Sequence, residues 1–234
     1  MVVSVMGSAH TSEVSEQRAD QNGVWTVVVA GGSGSRFGAP KQFLALGGRR
    51  VIDRAIATAA AHGDGVVTVL PADVDLGYTE SVGKPVVTVA GGDTRSASVR
   101  NGLAAVPDDA EIVLVHDAAR PLTPDAVYER VIAAVRGGAD AVVPVLDVTD
   151  SLRHRSDGAV DRAEFAAVQT PQGFPAAGLR AAHTSGADAT DDATLVEITG
   201  GVVTMVDGDR AAMKLTTPLD LQIAELLLDQ EAAE

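Results

Sequence analysis

Short apolar runs and amphipathic stretches alternate along almost the whole chain. Runs rich in Val, Ile, Leu and Ala at 24–30, 66–70, 86–89, 112–115, 141–145 and 202–206 predict strands, the first of them buried. Apolar residues spaced at helical intervals at 51–62, 96–106, 124–135, 175–183, 191–199 and 218–229 predict amphipathic helices between and after them. Alternation of this kind with short connections implies βαβ units. The expected class is therefore α/β, with a mostly parallel sheet and helices on both faces.

One segment breaks the alternation. Residues 146–170 carry Asp147, Asp150, Arg153, Arg155, Asp157, Asp161 and Arg162, with a turn signal at Ser156-Asp157-Gly158. Short apolar pieces flank the turn, which predicts a two-stranded arm leaving the sheet. An isolated hairpin is marginal in water, so such an arm packs on something, and a second copy of the chain is the natural candidate.

In parallel α/β sheets, ligands bind beyond the carboxyl ends of the strands. The first strand end delivers AGGSGSRFGAPKQF, residues 30–43. Glycines let the backbone come close to a ligand with its N–H groups exposed, and Arg36 and Lys41 suit phosphate oxygens. The spacing is neither Walker A nor the dinucleotide pattern, because Gly32-x-Gly34 is followed three residues later by Phe37. The third strand is followed by Gly91-Gly92-Asp93-Thr94-Arg95, and the fourth by His116-Asp117-Ala118-Ala119-Arg120-Pro121. Three strand ends thus bring glycines, aspartates and arginines to one edge, the pattern of a nucleoside triphosphate site.

Composition narrows the picture. Hydrophobic residues make up 46% of the 234-residue chain with only 3% aromatic, and small apolar residues favour close helix-on-sheet packing. A formal charge of −14 argues against a nucleic-acid surface and makes each cation beside a glycine more informative. The absence of cysteine excludes disulfides and thiolate sites. No apolar run has the length of a membrane span, and residues 1–23 lack the pattern of a signal peptide. Those residues are expected to be a disordered tail, with residues 24–234 forming one domain in a cytoplasmic protein.

Six motifs occurring in one order now carry a resemblance: AGGSGSRFGAPKQF, GGDTRSASVRNGL, VLVHDAARP, VDR with TPQGF, TDDATLVE and AAMKLTTPLDL. Together they resemble the cytidylyltransferases that act on 2-C-methyl-D-erythritol 4-phosphate in the non-mevalonate isoprenoid pathway. The ribitol 5-phosphate cytidylyltransferases share most of the pattern and stand as the alternative, with a non-catalytic nucleotide-binding protein behind them. The resemblance implies a Rossmann-like nucleotidyltransferase fold, CTP as co-substrate, Mg2+ and a homodimer with composite sites. It implies that Ala30, Gly31, Gly32, Gly34, Arg36 and Lys41 meet the triphosphate. Gly92, Asp93 and Ser98 would hold cytosine and ribose, and Asp117 and Arg120 would lie near the reacting phosphates and the polyol. Arg162 would reach the acceptor phosphate in the partner's site, with Lys214 doing similar work.

Two departures stand out. The usual double alanine before the loop glycine reads Ala30-Gly31, and the arm carries Asp150-Ser151-Leu152-Arg153, where Ser151 supplies the hydroxyl expected to contact substrate.

The implied reaction asks little of a general base, since a phosphate monoester is mostly dianionic at neutral pH. His116 is accordingly expected to be structural. Asp117 is expected either to contact the metal or a hydroxyl, or simply to cap a helix. The metal would be held mainly by triphosphate oxygens, with Asp117 as the one protein candidate.

Overall fold

The computed structural model describes residues 23–31, 41–72, 74, 76–77, 82–184 and 186–231. The expected tail, apart from Gly23, lies outside the described residues, as do residues 32–40 of the glycine loop. In chain order the elements begin with β1 (Val24–Val29), a small hairpin β2 (Ala45–Leu46) and β3 (Arg49–Arg50), α1 (Val51–Ala61), β4 (Gly65–Leu70) and β5 (Val86–Ala90). They continue with α2 (Arg95–Leu103), β6 (Ile112–Asp117), α3 (Asp125–Arg136), β7 (Ala141–Asp147), β8 (Arg153–His154) and β9 (Gly158–Ala159). The last are β10 (Ala166–Val168), β11 (Gln172–Pro175), α4 (Ala176–Thr184), α5 (Asp192–Ile198), β12 (Val203–Asp207) and α6 (Pro218–Glu231).

The main sheet runs β10-β7-β11-β6-β1-β4-β5, with β12 pairing alongside β7. Strands β6, β1, β4 and β5 are mutually parallel, and so are β7 and β12. The sequence pattern finds every one of these parallel strands. It does not find β11, which lies antiparallel between β6 and β7. Pro171, Gly173 and Pro175 punctuate that stretch and hide its strand character. The glycine has a packing reason: a Cβ at Gly173 would sit 2.4 Å from Val131 Cγ1 on α3.

Alternation along the strands sorts the core into two layers. Val28, Val66, Leu114 and Val142 pack with Ile52, Ile56, Tyr128 and Val131 of α1 and α3. Val27, Val67, Val113 and Val143 pack on the other face with Val99 of α2, Leu179 of α4 and Leu195 of α5. A third cluster joins Leu46 and Val51, around the β2–β3 hairpin, to Leu215 and Ala224. It docks α6 beside the carboxyl edge of the sheet.

The expected arm is present. The chain leaves the sheet through β7 and returns through β10, and between them β8 and β9 pair antiparallel as Arg153↔Ala159 and His154↔Gly158. The backbone N–H groups of Ser156 and Asp157 donate to His154 Nδ1, closing the turn. Phe165 is 47% exposed at the base of the arm.

Helix α2 lies so close to the sheet that a Cβ at Gly102 would fall 2.5 Å from Val27 Cγ1 and 3.0 Å from Val69 Cγ2. Overpacking of a dense core costs about 1–3 kcal/mol. Gly102→Val should therefore lower unfolding free energy by about that amount, read as a reduced urea midpoint with an unchanged slope. An unchanged midpoint would show that α2 can lift away freely.

Candidate active site

Three loops leave the sheet together because each begins hydrogen-bonded to its neighbour strand. Ala30 N–H donates to Val69 O at 2.8 Å, Gly91 N–H to Leu70 O at 2.6 Å, and Ala118 N–H to Val29 O at 3.1 Å. Between them opens a cleft of about 310 Å3.

The first wall is the start of the glycine loop. Ala30 and Gly31 line the cleft, and the buried amide of Gln42 donates to Ala30 O at 2.9 Å. Gln42 belongs to a 3-10 turn, Lys41–Phe43, that brings the end of the loop back against its beginning. Gly32, Gly34 and Arg36 lie outside the described residues, and for Lys41 only the backbone is described.

The second wall is the Gly92–Ser98 segment. Ser98 Oγ accepts from Gly92 N–H at 3.1 Å and donates to Gly92 O at 3.3 Å, pinning the loop from below. Thr94 caps α2 by accepting from Ala97 N–H at 3.1 Å. A Cβ at Gly92 would meet Ala97 Cβ at 2.5 Å, so this tight entry to the helix needs glycine. Asp93 stands exposed at the rim.

The floor is Asp117, the last residue of β6. Its Oδ2 accepts from Lys214 Nζ at 2.8 Å and lies 3.7 Å from Arg120 Nε. Burial alone would raise this carboxyl, but Lys214, Arg95 and Arg120 outweigh burial and hold it at about 2. Asp117 therefore does not serve as a helix cap, one of the roles its sequence position allowed. Its carboxylate is committed to cations because the chain turns away from β6 without starting a helix.

His116 is structural, as its position suggested. Asp117 N–H donates to Thr170 Oγ1 at 3.0 Å, the Thr170 hydroxyl meets His116 Nδ1 at 3.0 Å, and His116 Nε2 meets Arg120 O at 3.2 Å. A carbonyl only accepts, so Nε2 carries the proton and Nδ1 accepts from Thr170. Complete burial pushes the His116 imidazole down to about 4, partly opposed by Asp117.

Arg120 and Lys214 divide their work. Arg120 Nη1 donates to Ala212 O at 2.7 Å and Nη2 to Val168 O at 3.3 Å, while Leu215 N–H donates to Ala119 O at 2.8 Å. Ala212 and Leu215 are both buried. Lys214, exposed between them, is thus held by backbone anchors on either side and reaches the cleft. Arg120 itself is spent on those carbonyls and on Asp117, and it does not line the cleft.

Arg162 and Ser151 are not brought to this cleft by their own chain. Both sit exposed on the arm, and Arg162 Nη1 donates to Thr149 O. Among the described residues no group of three or more His, Asp or Glu side chains is arranged to hold a metal. Asp117, ionised at the floor, has the chemistry of a single carboxylate ligand to a cation carried in by phosphates. Sequence reasoning missed Gln42 and Thr170, although each stands inside a motif already singled out, and it brought Arg95 to the edge of the sheet without giving it a role.

The comparisons with known proteins agree with one another. A family model described as IspD, 2-C-methyl-D-erythritol 4-phosphate cytidylyltransferase, matches residues 24–230. The chain is 45% identical over 231 residues to the 2-C-methyl-D-erythritol 4-phosphate cytidylyltransferase of Nocardia farcinica, covering 92% of this chain and 98% of that one. A protein of the same name from Rhodococcus opacus is 45% identical over 220 residues, covering 89% and 96%. The crystal structure of the Thermus thermophilus protein of that name superposes with a TM-score of 0.75 at 36% identity, covering 87% of this chain and 98% of that one.

Burial of neutral His116 makes a prediction about acid stability. Its folded value of about 4 lies below the ordinary 6.5, so between those values the unfolded chain binds a proton that the folded chain refuses. Stability is whole above pH 6.5 and falls as pH drops toward 4, by at most on the order of 3 kcal/mol. Urea midpoints measured from pH 7.5 to 4 should decline, and His116→Gln should flatten that decline. A wild-type midpoint constant over this range would contradict the buried neutral imidazole.

Proposed function

The chain belongs to the 2-C-methyl-D-erythritol 4-phosphate cytidylyltransferase family, and we propose that it transfers CMP from CTP to that alcohol phosphate in the cleft floored by Asp117. The observation that carries this reading is the meeting of Gly31, Gly92, Ser98, Asp117 and Lys214 around one space at the carboxyl edge of the sheet. The acceptor phosphate, already dianionic, attacks the α-phosphorus of CTP. A new P–O bond forms, the bond to the β-phosphate bridging oxygen breaks, and pyrophosphate leaves. No proton need be removed first.

The barrier is the approach of two polyanions and the charge that grows on the α-phosphate oxygens. Lys214 is fixed for that task by its buried neighbours, and Arg36 and Lys41 in the glycine loop supply the remaining cations. The Gly92–Asp93 loop, held by Ser98, provides carbonyl and carboxylate acceptors suited to the exocyclic amine that distinguishes cytosine from uracil. A divalent cation such as Mg2+ would neutralise and orient the triphosphate, with Asp117 the carboxylate at the floor of the cleft.

The enzyme acts as a homodimer in this reading. The arm carries Arg162 and Ser151 away from the cleft of their own chain and exposes Phe165 beside them. Seated on a second subunit, the arm buries that ring and delivers Arg162 to the acceptor phosphate there. Residues 24–234 work as one nucleotidyltransferase domain. None of the described helices is long and apolar enough to cross a membrane, which is compatible with work in the cytoplasm.

Pyrophosphate release should be seen with CTP, Mg2+ and 2-C-methyl-D-erythritol 4-phosphate, and should be negligible with ribitol 5-phosphate. Release with ribitol phosphate alone would move the protein to a different acceptor. Lys214→Ala should reduce kcat on the order of 10²–10³-fold, the scale of losing one fixed charge-stabilising donor. A near-normal kcat would remove Lys214 from the reaction.

A further inference from the structure

The motif TDDATLVE has no role in the reading above, yet it makes a dense set of contacts with the wall of the cleft. Its Asp192 is wholly buried at the start of α5 and uses both carboxylate oxygens. Oδ2 accepts from Arg95 Nη1 at 2.6 Å, and Oδ1 accepts from His183 Nε2 at 3.0 Å. The segment before it is laced to the start of α2. Thr94 Oγ1 donates to Asp188 Oδ1 at 2.7 Å, and Ala189 N–H donates to Ser96 Oγ at 3.1 Å.

Arg95 itself lines the cleft. Burial would lower its guanidinium, but Asp192, Asp117 and Asp191 together leave it raised, so the charge is permanent. A guanidinium has five N–H donors on Nε, Nη1 and Nη2. Only Nη1 is engaged among the described residues, by Asp192, and the side chain remains 25% exposed. The rest of the fork is thus available to the cleft while its far corner is tied to a buried carboxylate.

A purely structural arginine at this place would be expected to close its fork on protein carbonyls, as Arg120 does. Arg95 stands one helical turn from Ser98, which pins Gly92, and close enough to Asp117 to depress its carboxyl. It lies between the segment suited to the base and the floor suited to the phosphates. From this geometry we propose that Arg95 contacts oxygen atoms of the bound nucleotide, and that Asp192, backed by His183, is the positioning residue that aims it.

This inference rests on CTP being the nucleotide of the cleft. It is tested by calorimetric titration of CTP into the full-length protein with Mg2+ present, alongside steady-state kinetics. Arg95→Ala should weaken CTP binding at least tenfold and raise KM for CTP in proportion, leaving KM for the alcohol phosphate within twofold. Asp192→Asn, which keeps the shape but not the charge, should weaken CTP binding by a smaller factor. Arg95→Lys should fail to restore affinity, because one ammonium cannot hold Asp192 and the nucleotide with a planar fork. Thermal melting of each variant identifies the folded fraction. Folded Arg95→Ala with wild-type CTP affinity would overturn the proposal, as would a rise confined to the acceptor KM. A wild-type protein that binds no CTP would instead overturn the nucleotide assignment on which it rests.

Discussion

The cations around the floor of the cleft converge on one carboxylate, ionised at the end of a central strand. Asp117 closes β6, which lies between β1 and β11, so its surroundings are mostly protein rather than water. An isolated charge there would be expensive to bury, and the compensation comes from three separate parts of the chain. Lys214 arrives from the segment before α6, Arg95 from the start of α2, and Arg120 from the loop that follows β6. Of these, Arg95 and Lys214 also line the cleft, where their charge suits phosphate, whereas Arg120 serves the floor from outside it. With a formal charge of −14 over the whole chain, this concentration of positive charge is local and depends on anchoring.

The anchoring follows a common plan. Each cation is held by a contact on its far side while charge faces the cleft or its floor. Arg95 is tied to Asp192, Arg120 to the carbonyls of Ala212 and Val168, and Lys214 is held by buried Ala212 and Leu215. Ligand binding then does not have to order long side chains from a freely rotating state. The His116–Thr170 pair does the corresponding work for the backbone, linking the end of β6 to the Thr170-Pro171 connection that leads into β11. A neutral imidazole suits this position, because it must donate through one nitrogen and accept through the other.

How much of this was legible in the sequence depends on the range of the interaction. The parallel strands were legible because Val-rich runs favour strands; β1, β4 and β6 are buried on both faces and leave no polar alternation to interpret, whereas β5 and β12 are largely exposed and were legible from composition alone. The glycine loops were legible because Gly31, Gly92 and Asp117 follow those runs directly. Strand β11 was not, since Gly173 is there for its close fit against Val131 and the stretch carries no apolar periodicity. The fate of Asp117 and Arg120 was not legible either. Each pairs with chain more than 90 residues away, at Lys214 and Ala212 respectively. Arg95 was visible as a strand-end arginine, but its buried partner Asp192 lies 97 residues on, and no local pattern announces that contact. Position along a loop tells which residues reach the edge of the sheet. It does not tell which of them are spent on holding others in place.

The placement of Lys214 shows that the sheet and the site draw on different cores. The two large apolar layers contain residues of the strands and of α1 to α5, and they hold the strand ends in register without help from α6. Lys214 instead depends on the small third cluster, in which Leu215 and Ala224 meet Leu46 and Val51. Leu46 and Val51 flank the β2–β3 hairpin, which follows the glycine loop in the chain. Docking of α6 therefore couples the lysine to the same short stretch that returns the glycine loop to the sheet through Gln42. A small apolar cluster buries little area and contributes correspondingly little stability. Loosening it costs the sheet little, yet it releases the floor's closest cation and the support of the loop together. Global stability and the integrity of the cleft are thus separable properties of this chain, with the third cluster as the hinge between them.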